Sequence, residues 1–185
     1  MSGFADDPGP FVVAVRLEAP GDVSGVRAVE LAAFEGPEEA DIVDRVRLEA
    51  PDGWLSLVAV DAADVVVGHL LLTPCAVEDG EGRQTGTVLA IGPVAVLPAV
   101  QLRGVGTSLM HAAMSVAMAR GVPALVLLGH AAYYPRFGFG SAREAGLQPP
   151  ADAWPDHAWM ARRLPAWTEE LRGTVRYPEA FGPLA

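Results

Sequence analysis

Gln101, Gly104 and Gly106 stand where an apolar run, residues 88–97, gives way to a helix-compatible stretch at about 104–120. Glycine has no Cβ, so at the turn into a helix successive backbone N–H groups can converge on an anion. The unpaired donors and dipole of a first helical turn favour negative charge at that place. Thr107 adds a hydroxyl and Arg103 a charge at the rim, so this segment offers a phosphate cradle. Two familiar phosphate-binding patterns are excluded. The nucleotide phosphate loop needs Gly-Lys-Ser/Thr and this chain has no Lys, while a dinucleotide fingerprint needs a third glycine where Leu109 stands.

The run that feeds this turn carries Gly92-Pro93 in its middle. Proline cannot donate a ladder hydrogen bond, so a central strand is expected to bulge there. A bulge tilts Val94, Ala95 and Val96 away from the next strand and frees backbone groups that a ligand with its own amides can pair, as in strand addition. An amide-binding edge followed closely by a pyrophosphate-binding turn suits coenzyme A.

The elements that must hold these residues alternate without repeat, which predicts an α/β or α+β fold. Strands are expected at 11–18, 55–61, 65–78, 87–97, 124–128 and 157–164. Helices are expected at 22–34, with Asp22 as its cap and Val26, Val29, Ala33 and Phe34 on one face, at 38–48 behind an acidic first turn, and at 104–120. Pro51-Asp52-Gly53 stops the second helix. In the third, the stripe Val105, Leu109, Ala112, Val116 is expected to face the core. One domain over 1–185 is expected, its core at about 11–165 and a tail from 166 packed on the body through Trp167, Tyr177 and Phe181.

Composition narrows the function classes. With 51% hydrophobic and 19% charged residues, the chain can bury enough apolar surface to order itself. No apolar run approaches the roughly 20 residues of a membrane span, and residues 1–11 lack the basic and apolar regions of a signal peptide. A cytoplasmic protein with no membrane partner is expected. The net charge of −10 disfavours nucleic acid and favours cationic small molecules or basic peptides. The one cysteine, Cys75, can form no internal disulfide, and the scattered histidines show no metal-ligand spacing, so no metal is expected.

Gln101, Gly104 and Gly106, with Arg103 between them, resemble the Gln/Arg-x-x-Gly-x-Gly/Ala signature of the GNAT superfamily of N-acetyltransferases. Tyr134-Pro135-Arg136-Phe137-Gly138-Phe139 resembles that family's Tyr-x-x-x-Gly-Phe motif, in family order. Arg172-Gly173, Tyr177-Pro178 and Phe181 resemble the ending of a bacterial subfamily of predicted N-acetyltransferases. The resemblance implies a central, mixed, mostly antiparallel sheet with helices on both faces and strands splayed around a coenzyme A site. It also implies acetyl-CoA as cosubstrate, held by Val94, Ala95, Val96, Gln101, Leu102, Arg103, Gly104, Val105, Gly106, Thr107 and Tyr134.

On this reading an amine of a small molecule or peptide attacks the thioester directly in a ternary complex. Val94 is expected to offer its N–H to the thioester oxygen and Tyr134 its proton to the departing sulfur, the phenol being protonated at neutral pH. Tyr133 is expected to pack. The run 88–97 has no carboxylate or imidazole, which leaves Glu78, Asp79, His130 and His157 as possible bases, while His111 is solvated or partly packed. Trp154, Trp159 and Trp167 either line an acceptor pocket or pack in the core. A coenzyme A-binding sensor or scaffold without catalysis, and a longer acyl donor, are alternatives. A homodimer accords with related families.

Overall fold

The computed structural model describes residues 11–49 and 52–182; the expectations for residues 1–10, for Pro51 and for residues 183–185 lie outside that range. In chain order the elements are β1 (Ala14–Leu17), α1 (Val23–Ala33), α2 (Glu38–Glu49), β2 (Leu55–Val60), β3 (Val66–Glu78) and β4 (Gln84–Val96). There follow α3 (Val105–Ala119), β5 (Ala124–Leu128), β6 (Gly140–Ser141), β7 (Leu147–Gln148), β8 (Trp159–Arg163) and β9 (Gly173–Arg176). The sheet runs β1-β2-β3-β4-β5-β8-β6, with β9 pairing both β3 and β7. It is mixed and mostly antiparallel, as expected: β4 with β5 and β7 with β9 are the parallel pairs.

Strand alternation distributes the apolar residues between two faces. In β2, Leu57 and Ala59 pack towards α3, whereas Val58 and Val60 pack towards α1 and α2. A third cluster, under β3, β4 and β5, gathers Cys75, Val88, Ala124, Trp154 and Trp159 against the C-terminal segment. Burial pushes the Cys75 thiol up to about 12, so it serves as a small apolar group.

Three expectations need correction. The core face of α3 is broader than the expected stripe: Val105, Leu109, Met110, Ala113, Met114 and Ala117 are buried, and Ala112 and Val116 are half-buried against the same core. The helix is so rich in apolar residues that periodicity leaves its inner face poorly marked. Fully burying a side chain such as Leu109 contributes about 1.5–3 kcal/mol. Asp22 makes no side-chain cap on α1; its carboxylate accepts the Ala19 N–H at 2.7 Å and pairs with Arg16. The short strands β6, β7 and β9 had no visible pattern, and β4 begins three residues earlier than the reading 87–97 because the hairpin is tight. Among the described residues no helix is long and apolar enough to cross a membrane.

Candidate active site

The bulge expected at Gly92-Pro93 is present. Between the paired positions Leu72↔Ile91 and Leu70↔Val94, β3 has one residue where β4 has two. Gly92 sits at φ 145°, a region that residues with a side chain rarely enter. On the opposite side, β4 pairs with β5 only at Leu89↔Leu125 and Ala90↔Val126, although β5 continues along β8 to Leu128↔Trp159. The two strands therefore part beyond Ala90.

Backbone direction follows from the pairing. Leu97 donates its N–H to Val67 O on β3 at 2.9 Å, so strand alternation turns the groups of Val96 and Val94 to the parted side. The Gln101 amide lies on that side and donates to Val96 O at 3.0 Å. Gln101 thus tethers the turn to the free edge. Beyond it Leu102 (φ 60°) and Gly104 (φ 92°) are left-handed, and α3 starts at Val105 with no side-chain cap, leaving its first N–H groups without helical partners.

A cleft of about 500 Å³ occupies this parting. Val94, Val96, Gln101, Leu102, Gly104, Gly106, Thr107 and Tyr134 line it, together with Ala33 and Phe34 at the end of α1 and His130, Tyr133 and Arg136 after β5. Of the other expected cofactor residues, Ala95 and Val105 are buried beneath and Arg103 lies outside the lining. Ala33, Phe34, Tyr133 and Arg136 are additions: the chain fold alone brings Ala33 and Phe34 here, whereas Tyr133 and Arg136 sit beside and within the motif 134–139.

The aromatic turn 134–137 is held from below. The Arg162 guanidinium donates to Phe137 O, and the Tyr134 ring stands edge-on to Phe139 at 6.0 Å and to Tyr133 at 5.0 Å. Tyr134 also lies against Gly129, where any Cβ would come within 2.3 Å of its ring. Burial, with a smaller contribution from Tyr133, pushes the Tyr134 phenol up to about 12. Tyr133 is not simply core: it lines the cleft, its hydroxyl reaches the Gly106 turn, and Arg136 stacks on its ring at 4.7 Å.

The base candidates separate sharply. Glu78 ends β3 eight positions from Leu70, which pairs with the cleft-lining Val94, and Asp79 follows it; at about 3.3 Å per residue this is roughly 25 Å from the cleft. Glu78 pairs with Arg176 and Asp79 organises the hairpin, where backbone N–H groups and Arg83 hold its carboxyl below the ordinary range. His157 is exposed and does not line the cleft, whereas His130 does. His111 is exposed and edge-on to Phe137. Trp154 and Trp159 are buried in the C-terminal cluster and Trp167 packs against it, so the acceptor-pocket role does not hold for them.

A buried polar chain lies on the α1 side of the sheet. His69 Nδ1 is 2.5 Å from Glu30 Oε1, His69 Nε2 is 2.8 Å from Ser56 Oγ, and the Ser56 hydroxyl donates to Glu18. Arg47 donates to both Glu18 oxygens, at 2.9 and 3.0 Å. Glu30 and His69 are both fully buried, and burial pushes the Glu30 carboxyl upward against the pull of His69. In the sequence the only signals were a charged residue on the apolar face of α1 and a histidine inside the run VVVGHLLL.

Parted parallel strands, a free backbone edge and a glycine turn at a helix N-terminus thus meet in one cleft. The acetyltransferase (GNAT) family model matches residues 24–139, and the chain belongs to that family of enzymes. It is 34% identical over 169 residues to the uncharacterized N-acetyltransferase YjhQ of Escherichia coli K12, covering 88% of this chain and 92% of that one. It is 31% identical over 172 residues to the uncharacterized N-acetyltransferase YhbS of the same organism, covering 90% and 97%. Among solved structures, E. coli YhbS in complex with CoA superposes with TM-score 0.80 at 28% identity, covering 98% of each chain. A GNAT family acetyltransferase from Brucella melitensis in complex with acetyl-CoA gives TM-score 0.72 at 30% identity, covering 92% of this chain and 98% of that one.

Proposed function

We propose that this chain is one N-acetyltransferase domain that transfers the acetyl group of acetyl-CoA to a primary amine of a small molecule or peptide, in the cytoplasm. The observation that carries this reading is the end of the β4–β5 ladder at Ala90↔Val126, which leaves Val94 and Val96 facing a cleft that continues into the glycine turn. Support comes from the YhbS and Brucella structures, whose bound molecules are CoA and acetyl-CoA.

In this reading Val94 and Val96 pair with the amides of the cofactor arm, with Ala95 as the buried spacer between them. The segment Gln101, Leu102, Arg103, Gly104, Val105, Gly106 and Thr107 presents N–H groups to the pyrophosphate. The Val94 N–H polarises the thioester carbonyl as its oxygen gains charge. Tyr134, its phenol pushed up to about 12, keeps its proton at neutral pH and gives it to the departing sulfur. Holding both reactants in one cleft replaces a chance encounter with a positioned one.

The test is release of free thiol from acetyl-CoA across polyamines, aminoglycosides, amino acids and basic peptides. Turnover of one class supports transfer; saturable binding with no turnover on any amine supports a sensor or scaffold instead. Tyr134→Phe is expected to lower kcat about 100-fold while acetyl-CoA affinity stays within about threefold. Unchanged kcat removes Tyr134 from the chemistry.

A further inference from the structure

The cleft lining contains no carboxylate, and its one imidazole, His130, is exposed and has no hydrogen-bond or ion-pair partner among the described residues. A proton acceptor normally needs a group that orients it. The Glu30–His69–Ser56–Glu18 chain is oriented throughout and the chemistry above leaves it without a task. We propose that Glu30 accepts the proton of the attacking amine through one bridging water, with His69, Ser56 and Glu18 as positioning residues; this rests on the acetyl-transfer reading.

Placement is the first support. Phe34, which lines the cleft, is one helical turn after Glu30, and its N–H donates to Glu30 O at 3.1 Å. His69 pairs in register with Ala95, between the cleft-lining Val94 and Val96. Glu30 and His69 therefore lie on the α1 side of the sheet, one strand over from the cleft-lining stretch of β4. The second support is an unmet acceptor. Glu30 Oε2 is the one buried carboxylate oxygen without a partner among the described residues. Buried acceptors of this kind are ordinarily met by an ordered water, and the proposal places that water between Glu30 Oε2 and the cleft.

Hydrogen counting limits the chain to two proton placements, of which the proposal uses one. Glu18, gripped by Arg47, is an acceptor, so Ser56 spends its single hydrogen there. Ser56 Oγ must then receive from His69 Nε2, and one further proton is shared between Nδ1 and Glu30 Oε1. With that proton on the imidazole, Glu30 is a carboxylate whose second oxygen is free. Burial acts on it most and opposes the carboxylate; His69 from β3 and Arg47 from α2 favour the carboxylate, and Glu39 from α2 opposes it.

In the step itself, the nitrogen–carbon bond forms as an N–H bond breaks; the proton passes to the water, which gives one of its own to Glu30 Oε2. The carbon–sulfur bond breaks with its electron pair on sulfur, and sulfur takes the Tyr134 proton. After product leaves, Glu30 gives its proton to solvent and Tyr134 regains one.

The experiment uses the full chain, acetyl-CoA and the best amine of the panel. It measures kcat and KM against pH, acetyl-CoA affinity by calorimetry and thermal stability. Glu30→Gln is expected to lower kcat about 100-fold and remove the acidic limb of kcat/KM, with acetyl-CoA affinity within about twofold. Ser56→Ala is expected to cost about tenfold in kcat and to move that limb, and Ser56→Thr to restore both. A folded Glu30→Gln protein with wild-type kcat and limb, or the same loss appearing in His130→Gln instead, overturns the proposal. If Glu30→Gln does not fold, a Ser56→Ala protein that keeps the wild-type limb overturns it. Wild-type protein that acetylates no amine removes the transfer reading and this inference together, whereas wild-type turnover with unaffected variants removes only the inference.

Discussion

The two halves of β4 have the same neighbour on one side and different neighbours on the other. Leu89 and Ala90 lie between β3 and β5 and are buried to the usual degree of a central strand; Val94 and Val96 are half-buried, paired to β3 alone, and face a cleft. Between them lies one extra residue at Gly92-Pro93. The difference shows how a continuous strand becomes a free edge: the core packs the first half on both sides, the bulge redirects the second, and β5 stays on its own course beside β8. In the proposed function, the amides of acetyl-CoA complete the ladder that the protein leaves unfinished.

Several substitutions break or sharpen this contrast. The largest effect is expected at Gly129→Ala, whose Cβ falls 2.3 Å from the Tyr134 ring. Displacing the phenol from the parted strands should lower kcat about 100-fold with little change in acetyl-CoA affinity, measured by steady-state kinetics and calorimetry. Gly92→Ala comes next. At φ 145° a side chain costs about 1–3 kcal/mol, and relaxing that strain should re-aim Val94 and Val96. Acetyl-CoA affinity is expected to fall about tenfold, while the same change should leave the Leu89–Ala90 half paired.

The smallest effect is expected away from the cleft, at Asp22→Asn. The Asp22 carboxyl is held below its ordinary range by Arg16 and the Ala19 N–H, against its own burial. A depressed folded pKa contributes stability above the unfolded value, lost as pH falls through the folded one. The substitution should therefore cost about 1 kcal/mol at neutral pH in urea melts. That deficit should shrink as pH falls below the usual carboxylate range, with acetyl-CoA affinity unchanged throughout.

The bulge and the glycine turn were readable in the sequence and the buried polar chain was not. Gly92-Pro93, Gln101, Gly104 and Gly106 are local signals: each states its backbone consequence within a few residues, and the bulge and turn appear where those consequences place them. Glu30, His69, Ser56 and Glu18 sit on four different elements or their ends, so only tertiary pairing reveals that they touch. The inner face of α3 was read only in part for a different reason, its apolar residues being too numerous to mark one stripe. Strands of two residues, such as β6 and β7, are too short to show a period at all.

Amide hydrogen exchange, followed with and without acetyl-CoA, tests the unfinished ladder most directly. The expected result is slowed exchange at Val94, Val96 and the turn Gly104–Thr107 on adding acetyl-CoA, with Leu89 and Ala90 equally protected in both states. Exchange at Val94, Val96 and the turn that saturating acetyl-CoA leaves unchanged would contradict it.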